Sequence, residues 1–235
     1  MIDTQKMVKN TILFSLLVQI ITGIVSLHGL FITLKEKDRI LTDILTLETV
    51  VQFIEMCFYL WIAYAVVNIN SMTSRRYIDW VITTPTMLLS TIMFMKYQEN
   101  KENKEKEEEE GGGEIVTTKQ FLQDNKTLII ELFFYNWGML LFGYIGEINL
   151  LSKYISVPLG FIFFIKSFNL MYQNYAKYSV LGNQIFIFML SIWSLYGVVA
   201  VMPVNLKNVG YNILDIIAKN FYGLYIYYKI LEARN

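Results

Sequence analysis

Seven stretches of the chain, at about 9–34, 41–68, 77–97, 127–148, 151–175, 182–203 and 208–230, stay mainly apolar for 20 residues or more. That is the length an α-helix needs to cross the hydrocarbon core of a bilayer. Within lipid, only helices and closed barrels satisfy their own backbone, so the runs read as helices. The expected fold is an all-α membrane protein, one seven-helix transmembrane domain over 1–235 with a charged loop at 98–126. Short connections make successive spans antiparallel neighbours. Composition agrees: 54% of the 235 residues are hydrophobic and 17% charged, too apolar for a soluble domain of this size. The first stretch is too long for a signal-peptide core and lacks a small-residue cleavage site, so it is expected to be retained as a span.

Lysine and arginine placement sets the expected orientation. With the N-terminus outside, Lys35, Lys37, Arg39, Lys96, the 98–126 lysines, Lys166, Lys177, Lys229 and Arg234 lie on or toward the cytoplasmic side. Lys6, Lys9, Arg75, Arg76, Lys153 and Lys207 remain on the other, so the bias favours N-out and C-in. The third loop, QENKENKEKEEEEGGGEIVTTKQFLQDN, is low in complexity and dense in charge. Glu and Lys favour a third helix that runs on into the cytoplasm until Gly111, Gly112 and Gly113 break it. Otherwise the loop reads as a solvated, partly disordered segment without chemistry. The Asn125–Lys126–Thr127 sequon falls on the cytoplasmic side and is expected to be unmodified.

Several classes are excluded. A formal net charge of zero offers no electrostatic basis for nucleic-acid binding. Cys57 has no cysteine to pair with, and His28 alone makes no imidazole-based metal site. No metal centre or enzymatic constellation is assigned.

The chemistry lies in two constellations inside the spans. Lys219 sits near the centre of the last stretch, NILDIIAKNFYGLYIYY, four residues after Asp215. That spacing puts both side chains on one helix face. Ionisable groups at such depth are costly in lipid, and their default reading is functional. A second buried carboxylate, Asp79, belongs to the run RRYIDWVITTP, with Arg76 one turn before it and Thr83 one turn after. A positively charged, lysine-bound chromophore held by two aspartates fits both.

LDIIAK on the seventh stretch and RYIDWVITTP on the third resemble the microbial rhodopsins, across essentially the whole membrane part but not the charged loop. The resemblance implies all-trans-retinal as a Schiff base on Lys219, with Asp79 and Asp215 as counterions and Asp79 as proton acceptor after isomerisation. Physical chemistry agrees, because an imine cation in a low-dielectric site keeps its proton only beside negative charge. Arg76 balances the two carboxylates, and Thr83 can donate a hydrogen bond. In the family's pattern Trp80 and Trp193 pack on the polyene, Tyr196 bonds Asp215, and Tyr59 is a second candidate for that bond. Gly197 stands where the pumps usually have proline, and Ala200 where many have tryptophan; both are expected to enlarge or soften the pocket. Receptor signatures are absent: no Asp-Arg-Tyr run closes the third span, and no Asn-Pro-x-x-Tyr occupies the seventh.

Pump, channel and sensor are separated by other positions. Ser90 occupies the place of the pumps' third-helix proton donor, and MPVNLKNVGYN before the last span holds no acid, so a pump of this type would turn over slowly. Glu48, Gln52, Glu55 and Tyr59 form a polar stripe on the second span, matched by Ser15, Gln19, Thr22 and Ser26 on the first. The seventh adds Asn205, Asn208, Asn212, Asp215 and Lys219, with Asn220 turned aside by about 100 degrees. Three such stripes on adjacent helices can line a hydrated path. This set resembles the cation-conducting channelrhodopsins of large algal viruses, in which Ser15, Glu55 and Asn220 would form a central constriction and Glu48 an inner one.

The expected function is a light-gated cation channel through helices one, two, three and seven. A slow outward proton pump and a sensory photoreceptor are the alternatives. Expected partners are the bilayer, retinal and permeant cations (protons, monovalent and divalent ions), and the surface leaves a homo-oligomer open.

Overall fold

The computed structural model describes residues 4–64, 72–106 and 117–234. Helices occupy the apolar stretches: α1 Thr4–Leu30, α2 Ile40–Tyr64, α3 Met72–Lys106, the short α4 Thr118–Asp124, α5 Lys126–Glu147, α6 Lys153–Asn174 and α7 Val180–Ala200. The last span is a composite of α8 Val204–Asp215, a π-helical turn Ile216–Phe221 and α9 Tyr222–Arg234. Six of these helices are long and apolar enough to cross a membrane, and the composite run completes a seven-helix bundle. The chain is an integral, multi-pass membrane protein.

With seven spans, the N-terminus and the C-terminus lie at opposite ends of the bundle. The end of the second stretch at 65–68 and the Gly111–Gly113 break lie outside the described residues. α3, described from Met72, already includes Arg75 and Arg76 ahead of the apolar run. It continues past its apolar part to Lys106, where Glu- and Lys-rich sequence sustains a helix without lipid. Glu102 on this extension accepts from the backbone N–H groups of Val180 and Leu181 at 2.9 and 3.2 Å. Together with Ser179, which accepts from Gly182 N–H at 3.0 Å, it caps α7.

The outer surface is apolar, as lipid requires: Ile24, Phe53 and Phe134 each expose more than 60% of their area. α3 runs through the middle, surrounded by the other helices. Pro85 within it is buried, where neighbouring helices can satisfy the freed carbonyl, whereas Pro158, in the second turn of α6, lies on the exposed face. The interior divides in two. Phe164, Phe168, Phe186, Met189 and Trp193 pack one half, between α6 and α7. Between α1, α2 and the last span the buried residues are instead largely polar: Ser15, Gln19, Thr22, Glu48, Glu55, Asn208, Asn212 and Asn220.

Candidate functional site

Lys219 is the meeting point of the two halves. It lies on the π-helical turn, 2% exposed, and its Nζ donates to Asp79 Oδ2 at 2.8 Å. Glu55 Oε1 is 3.2 Å from the same nitrogen and Asp215 Oδ1 3.8 Å. Asp79 comes from α3, Glu55 from α2 and Asp215 from the end of α8, so three helices converge on one cation. The two aspartates stand as the sequence suggests. Glu55 is the addition: its stripe placed it on a pathway, whereas the packing of α2 brings it against the lysine.

Asp215 is the most fully bonded acid. Tyr196 donates to its Oδ1 at 2.8 Å, and Tyr59 and Arg76 donate to its Oδ2, both at 2.9 Å. The two tyrosines are thus equal partners rather than a first and a second. Arg76 also donates to Tyr59 and Asn212 and lies over the rings of Phe58, Tyr59 and Tyr211. The three donors to Asp215, one of them a cation, occupy both carboxylate oxygens, as a buried acid requires. Asp79 is barer: its Oδ1 finds no partner among the described residues. Thr83 does not bond the Asp79 carboxylate, because its hydroxyl donates to the Asp79 backbone carbonyl one turn back at 3.0 Å.

A cavity between α3, α5, α6 and α7 reaches Lys219 and is lined by Trp80, Met139, Phe161, Trp193 and Tyr196 among others. Its walls are mainly apolar and aromatic, and Lys219 is the amine that borders it. A linear polyene aldehyde condensed on Lys219 suits such a site: the chain takes the aromatic walls and the nitrogen takes the carboxylates. Trp80 holds its place edge-on to Tyr196 and Tyr211, at centroid distances of 5.6 and 5.0 Å. Trp193 packs edge-on to Phe168 at 5.8 Å. Gly197 lines the cavity beside Phe161. A Cβ there would fall 2.2 Å from Phe161 Cε2, so the space left by the missing side chain is filled from α6. Ala200 lines the cavity as well.

The polar seam runs beside this cavity, along α1, α2 and the last span. Near the N-terminal end, Asn205 donates to Thr4 and Asn212 to Thr11, both at 2.8 Å. Level with the lysine, Gln19 donates to Glu55 Oε2, and a little further Thr22 donates to Asn220 Oδ1. Ser15 lies in the seam but does not join Glu55 and Asn220, since its hydroxyl donates to the Asn212 carbonyl at 3.1 Å. Gln19 and Thr22, one and two turns along α1, hold those partners instead. The π-helical turn explains Asn220: a widened turn buries residues 218–220 together, so Lys219 and Asn220 both point inward to different helices.

Further toward the C-terminal end, Ser90 donates to Glu48 Oε1, so the serine is one half of a buried pair. Gln52 lies between the two glutamates of α2, with neither amide atom partnered among the described residues. Beyond Glu48 the seam closes on Leu41, Ile44, Leu45, Ile226 and Ile230.

Three pairings were missed by sequence reasoning. Lys207, fully buried, donates to both oxygens of Glu147 at 2.7 and 2.6 Å, with Lys153 at 3.1 Å. The acid absent from the loop before α8 is therefore supplied by the end of α5. Asn136 donates to Thr84 at 2.8 Å across α5 and α3, and its only sequence signal was a lone amide in FFYNWGMLL. Tyr211 stacks on Tyr196 at 5.7 Å and had no distinguishing signal.

A family model described as Bacteriorhodopsin-like protein matches residues 10–233. No curated protein matches the chain. Among solved structures, the viral rhodopsin OLPVRII is similar at 24% identity and a TM-score of 0.77, over 96% of this chain and 98% of that one. The rhodopsin of Exiguobacterium sibiricum is 18% identical with a TM-score of 0.74, over 98% and 97% of the two chains. Bromide-bound halorhodopsin of Halobacterium salinarum is 12% identical with a TM-score of 0.74, over 97% and 95%. At these identities the likeness is one of fold.

Proposed function

The chain belongs to the bacteriorhodopsin-like family, whose members bind retinal, and from that premise we propose that it is a light-gated cation channel. In this reading the N-terminus lies outside the cell and the C-terminus in the cytoplasm. The carrying observation is the buried seam of Gln19, Thr22, Glu48, Gln52, Glu55 and Asn220, which touches Lys219 and ends against an apolar plug. Carboxyl groups along such a route favour cations over anions.

Bound through Lys219, retinal supplies the absorption of light and the change of shape that follows. Everything else falls to the chain's own side chains. Asp79 Oδ2, 2.8 Å from the Lys219 nitrogen, takes the proton from it. Arg76 and Asp215 remain paired and hold the surrounding charge while that proton moves. With the charge pattern altered, the Gln19–Glu55 and Thr22–Asn220 contacts give way and water enters between α1, α2, α3 and the last span. Leu45 and Tyr227 are the last barrier; they crowd Gly29 so closely that a Cβ there would lie 2.5 Å from Leu45. Moving a two-state balance from nearly closed to nearly open takes about 5.5 kcal/mol. Displacing a charge within a low dielectric is of the right size to supply it.

Voltage-clamp recording under illumination tests this. A channel gives photocurrents that change sign near the cation equilibrium potential and follow it when internal and external cations are exchanged. Currents that stay outward at every voltage overturn it in favour of a slow proton pump. One observation supports that second reading: Glu48, bonded to Ser90 on the C-terminal side of Lys219, is a buried carboxyl that could return a proton to the lysine nitrogen.

A further inference from the structure

Glu131 of α5 and Lys166 of α6 are exposed on the outer face of the bundle. Their neighbours Ile130, Phe134 and Ile165 present 59%, 62% and 61% of their area there, as a lipid-facing surface requires. Neither charge sits at an end of its helix. Lys166 is eight residues from the last residue of α6, about 12 Å along the axis. Its Nζ lies 5.6 Å from the ring centre of Tyr135, which is nine residues into α5. The ammonium therefore rests over a ring deep in the span, where a snorkelling lysine would reach back to the helix end. Glu131, one turn before Tyr135, is hydrogen-bonded to the tyrosine hydroxyl. Among the described residues neither charge has an ion-pair partner in its own chain. Asn169, one turn beyond Lys166, adds an amide to the same exposed face. Phe163 of α6 fills the notch at Gly138 of α5, which fixes the two helices and keeps acid and base on one rigid surface.

Charged side chains within a span face protein or a water-filled cavity, because hydrocarbon solvates neither sign. An outward-facing acid and base at this depth call for a protein cover. There is room for one, since 22% of the apolar window of α5 is buried in its own bundle against 72% for α3. We infer that this face is an interface with a second copy of the chain, related by a two-fold axis along the bilayer normal. Rotation about that axis keeps every residue at its depth and sets α5 of one copy against α6 of the other. Glu131 of each protomer then meets Lys166 of the partner subunit, twice by symmetry. The patch is its own complement, which suits a copy of itself. A lipid headgroup would have to leave the membrane surface to reach it. The inference uses neither the retinal site nor the channel reading.

Energy transfer between donor- and acceptor-labelled copies of the retinal-loaded protein, dilute in neutral phosphatidylcholine vesicles, tests the pairing. Wild type is expected to give transfer above that of a non-interacting membrane protein at the same density. Glu131→Lys alone and Lys166→Glu alone are each expected to lose it, since like charges then meet at both contacts. Donor-labelled Glu131→Lys mixed with acceptor-labelled Lys166→Glu is expected to regain it, because opposite charges meet again at both. Repair within a single chain could not produce that recovery. The visible absorption band reports that each variant is folded, as no residue of the patch lines the cavity. Should a single variant fail to take up retinal, the chain carrying both exchanges decides: it is expected to pair with itself and not with wild type. Control-level transfer in wild type, transfer that survives either single exchange, or no recovery in the mixture overturns the inference. Transfer that appears in wild type only after anionic lipid is added overturns it too, and assigns the patch to headgroups.

Discussion

The half of the bundle between α6 and α7 and the half between α1, α2 and the last span are built from opposite materials at the same depth. In the first, Phe164, Phe168, Phe186, Met189 and Trp193 interlock as one apolar, largely aromatic cluster. In the second, Gln19 meets Glu55, Thr22 meets Asn220 and Ser90 meets Glu48. Dry aromatic packing fixes a shape, because every neighbour resists displacement. Buried hydrogen bonds can be exchanged for water at small net cost once water arrives. The rigid side suits a chromophore that must strain against its walls, and the exchangeable side suits a route that must open. Lys219 belongs to both.

Removing it is the most severe way to break the comparison. Lys219→Ala is expected to abolish the visible absorption band altogether, measured after adding retinal to the expressed protein, while the helical far-ultraviolet signal stays. Asp215→Asn comes next. It strips the buried Arg76 of its ionic partner and should cost about 3–5 kcal/mol, read as a lower bleaching temperature. Phe168→Ala acts within the aromatic half alone. Destabilisation of about 3 kcal/mol is expected, with a broadened absorption band and an unchanged reversal potential. A moved reversal potential would mean that the two halves are not separate. Gln52→Leu is the mildest probe: it removes two buried amide atoms that have no partner among the described residues, so stability should change by no more than about 1 kcal/mol. Photocurrent should nevertheless fall, since a greasy residue then sits between the two glutamates.

The aromatic half and the ion cluster were legible to different degrees. Arg76, Asp79, Asp215 and Lys219 could be placed together because each sits one turn from a partner within its own span, and helical spacing carries that information. The polar faces of α1 and α2 were legible for the same reason. What spacing could not give was the depth at which two spans meet. That is why Glu55 was read as a constriction although it reaches the lysine, and Ser15 was matched with partners that Gln19 and Thr22 in fact hold. Gly197 shows the same limit: its missing side chain looked like free room until Phe161 arrived from another helix. Lys207 found its acid on α5, sixty residues away in sequence. The π-helical turn had no signal at all, since IIAKNF contains neither glycine nor proline.

That widened turn has a mechanical consequence. A helix carrying a surplus residue in one turn can release it by reverting to the ordinary pitch, and every side chain beyond then swivels by about 100 degrees. Downstream of Lys219 those side chains are Tyr222, Ile226 and Ile230, which pack the C-terminal end of the seam. Lys219 thus sits on a built-in swivel, and a twist begun there would turn the cork.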